Sequence, residues 1–90
     1  MDNAALFLFV GRFLFMGIEW IASAARHNIP QADTLYAITH AAGSTQIEGH
    51  AGETTIVYVG HPHAQTERYI EVIAAHRKPR SMVIFHAMEL

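Results

Sequence analysis

The sequence predicts an α+β domain, with two short helices packed on one face of a small, mainly antiparallel sheet of four to five strands. Two observations lead there. Past the apolar first fifteen residues, the helical spacing of apolar residues falls within positions 21–43, and from Ser44 the period changes to two. Helices at one end of a chain and strands at the other are the pattern of helices segregated to one face of a sheet. Ninety residues allow one such domain, and 51% hydrophobic against 16% charged residues excludes a disordered chain.

Ile18-Glu19-Trp20 alternates as an edge strand does, and Ile21, Ala24 and Ala25 follow at helical spacing as far as Asn28, which tolerates a left-handed helix end. Pro30 fits the first turn of a second helix and Asp33 suits its positive end. Leu35, Ile38 and Ala42 mark its buried side before Gly43 stops it. A helix-turn-helix DNA reader is set aside, because this second helix offers no Arg or Lys to a phosphate.

Thr45 and Ile47 alternate with Gln46 and Glu48, and Gly49-His50-Ala51-Gly52 is turn material leading into a hairpin. Thr54 to Gly60 is β-branched and aromatic, as a central strand covered on both faces would be. His61 to Thr66 reads as a loop, Arg68 to Ala75 as a strand, Arg77-Lys78-Pro79-Arg80 as a basic turn and Met82 to Met88 as the last strand. Strict alternation there puts Met82, Ile84, His86 and Met88 on one face.

The first fifteen residues need a separate account. Ala4 to Ala25 holds seventeen hydrophobic residues in twenty-two positions, including four of the five Phe. That is long enough to cross a bilayer, but an Arg at mid-span costs roughly 2.5–3.5 kcal/mol against about 0.3–0.6 returned by each large apolar side chain. Arg12 and Glu19 therefore bring the balance near zero. A secretory signal is opposed by Asp2 in the place of a basic segment, although Ala22-Ser23-Ala24 resembles a cleavage site. The reading preferred is that residues 1–15 form an apolar extension outside the functional protein, with Met16 opening a single domain over 16–90. A core helix built on Phe9, Val10 and Phe13, and a small membrane-anchored protein, are the alternatives.

A net charge of −2 excludes nucleic-acid binding through bulk positive charge and leaves room only for a local patch. The absence of cysteine removes disulfides, thiolate metal sites and a cysteine nucleophile, in keeping with a cytoplasmic setting. His61-x-His63, with Glu48 or His50, lacks a third ligand fixed by local spacing, so no metal and no other cofactor is expected and these are read as loop histidines. Ser44 and Ser81 lack a nucleophile elbow. What concentrates charge is His76-Arg77-Lys78-Pro79-Arg80, four side chains able to carry positive charge on one turn, with Arg68 nearby in sequence. A histidine held on the adjoining strand, His86, is what acid–base chemistry on a phosphodiester would use.

Ile18-Glu19-Trp20 opening the domain, His27-Asn28-Ile29 with Asp33 at the turn between helices, Gly52-Glu53 leading into Thr54 to Gly60, and two closing strands together resemble the BrnT-like toxins of type II toxin–antitoxin systems, relatives of the RelE and ParE superfamily. The resemblance covers residues 18–88 and rests on the order and spacing of short motifs. It implies a RelE-like fold, a growth-inhibiting endoribonuclease, and a cognate antitoxin, a small DNA-binding protein encoded nearby through which alone DNA would be contacted. The chain departs from the family's closing strand, where His86-Ala87-Met88 replaces an Arg-hydrophobic-Ser-Ala-Arg pattern.

On this reading cleavage needs no metal, His86 and either His61 or His63 form the acid–base pair, and Arg77, Lys78, Arg80 and Arg68 bind RNA phosphates. Missing family arginines leave a second reading, a non-catalytic module that only binds the antitoxin.

Overall fold

The computed structural model of the chain describes residues 8–11 and 13–90. The elements run in the order β1 (Leu8–Val10), β2 (Phe13–Phe15), β3 (Gly17–Trp20), a 3-10 turn (Ala22–Ala25), α1 (Gln31–Thr39), β4 (Gly43–Ile47), β5 (Glu53–Gly60), β6 (Ile70–Arg77) and β7 (Ser81–Glu89). The expected pair of helices on a four- to five-stranded sheet is corrected. Among the described residues there is one α-helix, and seven strands form a β1–β2 hairpin and a five-stranded sheet ordered β3-β7-β6-β5-β4. β3 runs parallel to β7, and the other pairings are antiparallel.

The first expected helix fails for a local reason. Between the end of β3 and Asn28, which takes φ 58, only a few residues remain, and only Ala24 among Ala22–Ala25 is buried. The segment closes only the short bonds of a 3-10 turn, Ala24 N–H to the Ile21 carbonyl and Arg26 N–H to the Ser23 carbonyl, and is tied to the sheet besides. The Ile21 N–H donates to the Ile84 carbonyl at 3.2 Å and the Ser23 hydroxyl donates to the Phe85 carbonyl at 2.6 Å. The second expected helix exists but ends at Thr39, because Gly43 already belongs to β4.

Helix α1 buries Thr34, Ala37 and Ile38 against one face of the sheet. Gly60 permits this approach: a Cβ there would lie 2.6 Å from the Ala37 carbonyl oxygen and 3.2 Å from Ala41 Cα. Under the helix lies a core of Tyr58, Ile70, Val72, Ala74, Met82 and Ile84. Ile18 and Trp20 extend it, since their parallel register sets them beside Met82 and Ile84. Phe15, 5% exposed, joins the same core, and Leu8 and Val10 pack on it, with Gly11 at φ 60 in the turn between β1 and β2. Of the segment read as an extension, residues 1–7 and Arg12 lie outside the described residues.

One irregularity redirects side chains. Between β6 and β7 the register steps from Ile73↔His86 to Ala74↔Ile84, so Phe85 is an inserted bulge residue. Past it the alternation inverts. Met82, Ile84 and Ala87 face α1, whereas Val83, His86 and Met88 face away, correcting the strict alternation expected from sequence. The Ser23 hydroxyl satisfies the bulge's carbonyl.

Candidate pocket at the basic turn

The antiparallel register of β5 and β6 sets Tyr58, Ile56 and Thr54 in a row beside Val72, Ala74 and His76, all on the face that carries α1 and the hairpin. Tyr58 and His76 reach toward each other along this row, above the short Ala74. The Tyr58 phenol oxygen lies 2.7 Å from His76 Nε2, with the rings 6.1 Å apart and inclined by 21°. On its other side the imidazole meets the edge of Phe15, at 4.6 Å and 68°.

Burial acts on the two groups in opposite directions because it disfavours whichever form is charged. The Tyr58 phenol is pushed up to about 12, and the His76 imidazole is held below its ordinary value. Near neutral pH the pair is an uncharged imidazole against a protonated phenol.

These residues border a cavity of about 550 Å³, within the size range of small-molecule sites. Val10, Phe15 and Ile56 give it apolar walls, Ser44 and Thr54 add hydroxyls, and Lys78 and Pro79 stand at its lip. Arg77 also borders the cavity, and its Nε donates to Glu53 Oε2 across the β5–β6 pair. Glu53 Oε1 is buried without a partner among the described residues. Lys78 and Arg80 make no ion pair among the described residues, so their charge faces solvent at the turn.

The residues expected from sequence to form one site are spread over the molecule. Arg77, Lys78 and Arg80 sit at one end of the sheet. His61, His63 and Arg68 sit at the other, beyond the Gly60↔Ile70↔Glu89 row. The seven steps of β6 from Ile70 to Arg77 put roughly 23 Å between these ends, at about 3.3 Å per residue. His61 Nδ1 donates to the Arg68 carbonyl at 2.7 Å and its ring lies against Tyr69, while His63 Nδ1 donates to the Ala64 carbonyl at 2.8 Å. Arg68 makes a two-pronged contact with Glu89, both bonds 3.0 Å.

His86 lies on the face away from the cavity because of the Phe85 bulge. Its Nε2 is 3.3 Å from Glu71 Oε1 without the geometry of a hydrogen bond, and its ring meets His27 edge-on at 5.6 Å. Among the described residues no group of three or more His, Asp or Glu is assembled to hold a metal. Nor is any helix there long and apolar enough to cross a membrane.

Sequence reasoning found the basic turn but missed Tyr58 as its neighbour. The available signal was the 18-residue separation of Tyr58 and His76 across one hairpin, which places both on the same face only if the 61–69 connection does not shift the register.

Comparison with protein-family models gives no match, and comparisons with curated proteins and with solved structures give none either.

Proposed function

We propose that the protein binds single-stranded RNA at this cavity and cleaves it without a metal, as the toxin of a toxin–antitoxin pair acting in the cytoplasm. The observation that carries the reading is the Tyr58–His76 pair beneath a cationic lip. Metal-free cleavage needs a base for the 2′-hydroxyl proton, an acid for the leaving 5′-oxygen, and cations for the phosphorane between them. His76, neutral by burial, takes the 2′-hydroxyl proton at Nδ1, and Tyr58, protonated by burial, gives its own proton to the 5′-oxygen and regains one from the imidazolium Nε2 through their shared hydrogen bond. Lys78 at the cavity lip supplies the cation for the phosphate, with Arg77 bordering the cavity and Arg80 on the same turn adding positive charge. The apolar walls suit an unstacked base, which is how sequence in single-stranded RNA is commonly held. As the 2′-oxygen bonds to phosphorus, the bond to the 5′-oxygen breaks, leaving a 2′,3′-cyclic phosphate and a 5′-hydroxyl.

His86 is the second candidate base, supported by its buried Nε2 beside Glu71. Incubation of the purified chain with single-stranded RNA in excess chelator tests the proposal. Products ending in cyclic phosphate are expected, together with growth arrest on expression that a co-expressed antitoxin relieves. Intact RNA in that assay, with growth arrest or without it, rejects the ribonuclease; antitoxin binding in its place would leave the module reading.

A further inference from the structure

The two edges of the five-stranded sheet differ. At one end β3 is four residues long and carries the exposed Glu19. At the other, all five residues of β4 are exposed, and among the described residues no strand pairs with its outer edge. Proteins usually guard such edges with Lys or other charges, Pro or bulges. Gly43-Ser44-Thr45-Gln46-Ile47 has no charged residue or Pro, and its register with β5 is unbroken.

The segment is also compatible with itself. Antiparallel pairing of two copies about a two-fold axis at Thr45 sets Thr45 against the partner's Thr45, Ser44 against the partner's Gln46, and Gly43 against the partner's Ile47. No like charges meet, and hydroxyl–hydroxyl and hydroxyl–amide pairs of this kind favour cross-strand association. Ile47, 41% exposed, gains cover from the added strand.

We propose that β4 is a self-association edge through which two copies join their sheets into one of ten strands. The register of β4 on β5 sets Ser44 opposite Tyr58 and Gln46 opposite Ile56, so both lie on the cavity's face, and Ser44 already lines the cavity. Pairing brings the partner's Gln46 beside Ser44, so the second copy adds an amide to the outer wall of the pocket. This holds whether or not the pocket cleaves RNA. Five paired residues cover less than the roughly 800 Å² per partner of a standard interface, so the dimer is expected to dissociate on dilution.

The chain has no cysteine, which makes single-cysteine variants unambiguous reporters. Under mild oxidation of the full chain, Thr45→Cys is expected to yield a covalent species of twice 10.0 kDa, because the two thiols meet at the axis. Ile47→Cys, whose opposite number is the partner's Gly43, is expected to form no covalent dimer. Sedimentation of the unmodified chain should show apparent mass rising with concentration, and Thr45→Lys, which opposes two ammonium groups at the axis, should abolish the rise. A monomer at every concentration overturns the proposal, and so does a Cys at position 45 that cross-links no faster than one at 47.

Discussion

The Tyr58 phenol and the His76 imidazole share a 2.7 Å hydrogen bond across adjacent strands, with Phe15 closing over the imidazole. Removing the hydroxyl tests how much this pair holds. A buried polar group left without its partner costs about 1–3 kcal/mol. Tyr58→Phe is therefore expected to destabilise the fold by about that much, measured by chemical denaturation, while His76→Gln, which keeps a hydrogen-bonding group, should cost less. Equal stability in Tyr58→Phe and the parent would mean the hydrogen bond contributes nothing net.

Stability should fall away on both sides of neutrality. His76 binds its proton less readily in the fold than in the unfolded chain, so as pH drops below about 6.5 the unfolded state takes up more protons and gains. Tyr58, at about 12 against 10.0 unfolded, keeps its proton longer in the fold, so its contribution is complete below pH 10.0 and is lost as pH rises toward 12. Melting temperatures across pH should reveal both losses. In Tyr58→Phe the alkaline loss should shrink, and in His76→Gln the acid loss should shrink.

Gly60 sets the distance between α1 and β5. With the Ala37 carbonyl oxygen only 2.6 Å from where a Cβ would stand, Gly60→Ala forces the helix outward. Overpacking of this kind typically costs about 1–3 kcal/mol. The expected result is a lower denaturation midpoint with the sheet intact by circular dichroism.

Truncation to Met16–Leu90 tests the expectation that the first fifteen residues are an extension. Phe15 belongs to the core, and loss of a buried Phe side chain typically costs about 3–5 kcal/mol. Phe15→Ala and the truncation are thus both expected to melt well below the parent. A truncated chain as stable as the whole would support the extension.

Much of the sheet was readable because its signals are local. The β-branched run at Thr54–Gly60 and the turn at residues 49–52 lie where period and glycine placement set them. What escaped depended on partners distant in sequence. Ala22–Ala25 has helical spacing, yet it closes only a 3-10 turn, with the preceding Ile21 N–H bonded to the Ile84 carbonyl and the Ser23 hydroxyl to the Phe85 carbonyl. A bulge has no signature in an alternating strand, so the side of the sheet on which His86 lies was not legible, and with it went the composition of the site. The hairpin of β1 and β2 was obscured by an apolar run that satisfies several templates at once.

The central claim is that acid–base chemistry sits at His76 and not at His86. Single-turnover cleavage of a single-stranded RNA in excess chelator, compared for the parent, His76→Ala and His86→Ala with folding of each checked by circular dichroism, tests it directly. General acid–base catalysis typically contributes about 10²–10⁴-fold, so His76→Ala is predicted to slow cleavage by about that factor and His86→Ala to leave it within a few-fold of the parent. Full activity in folded His76→Ala, or a loss of that size in folded His86→Ala, would contradict the account.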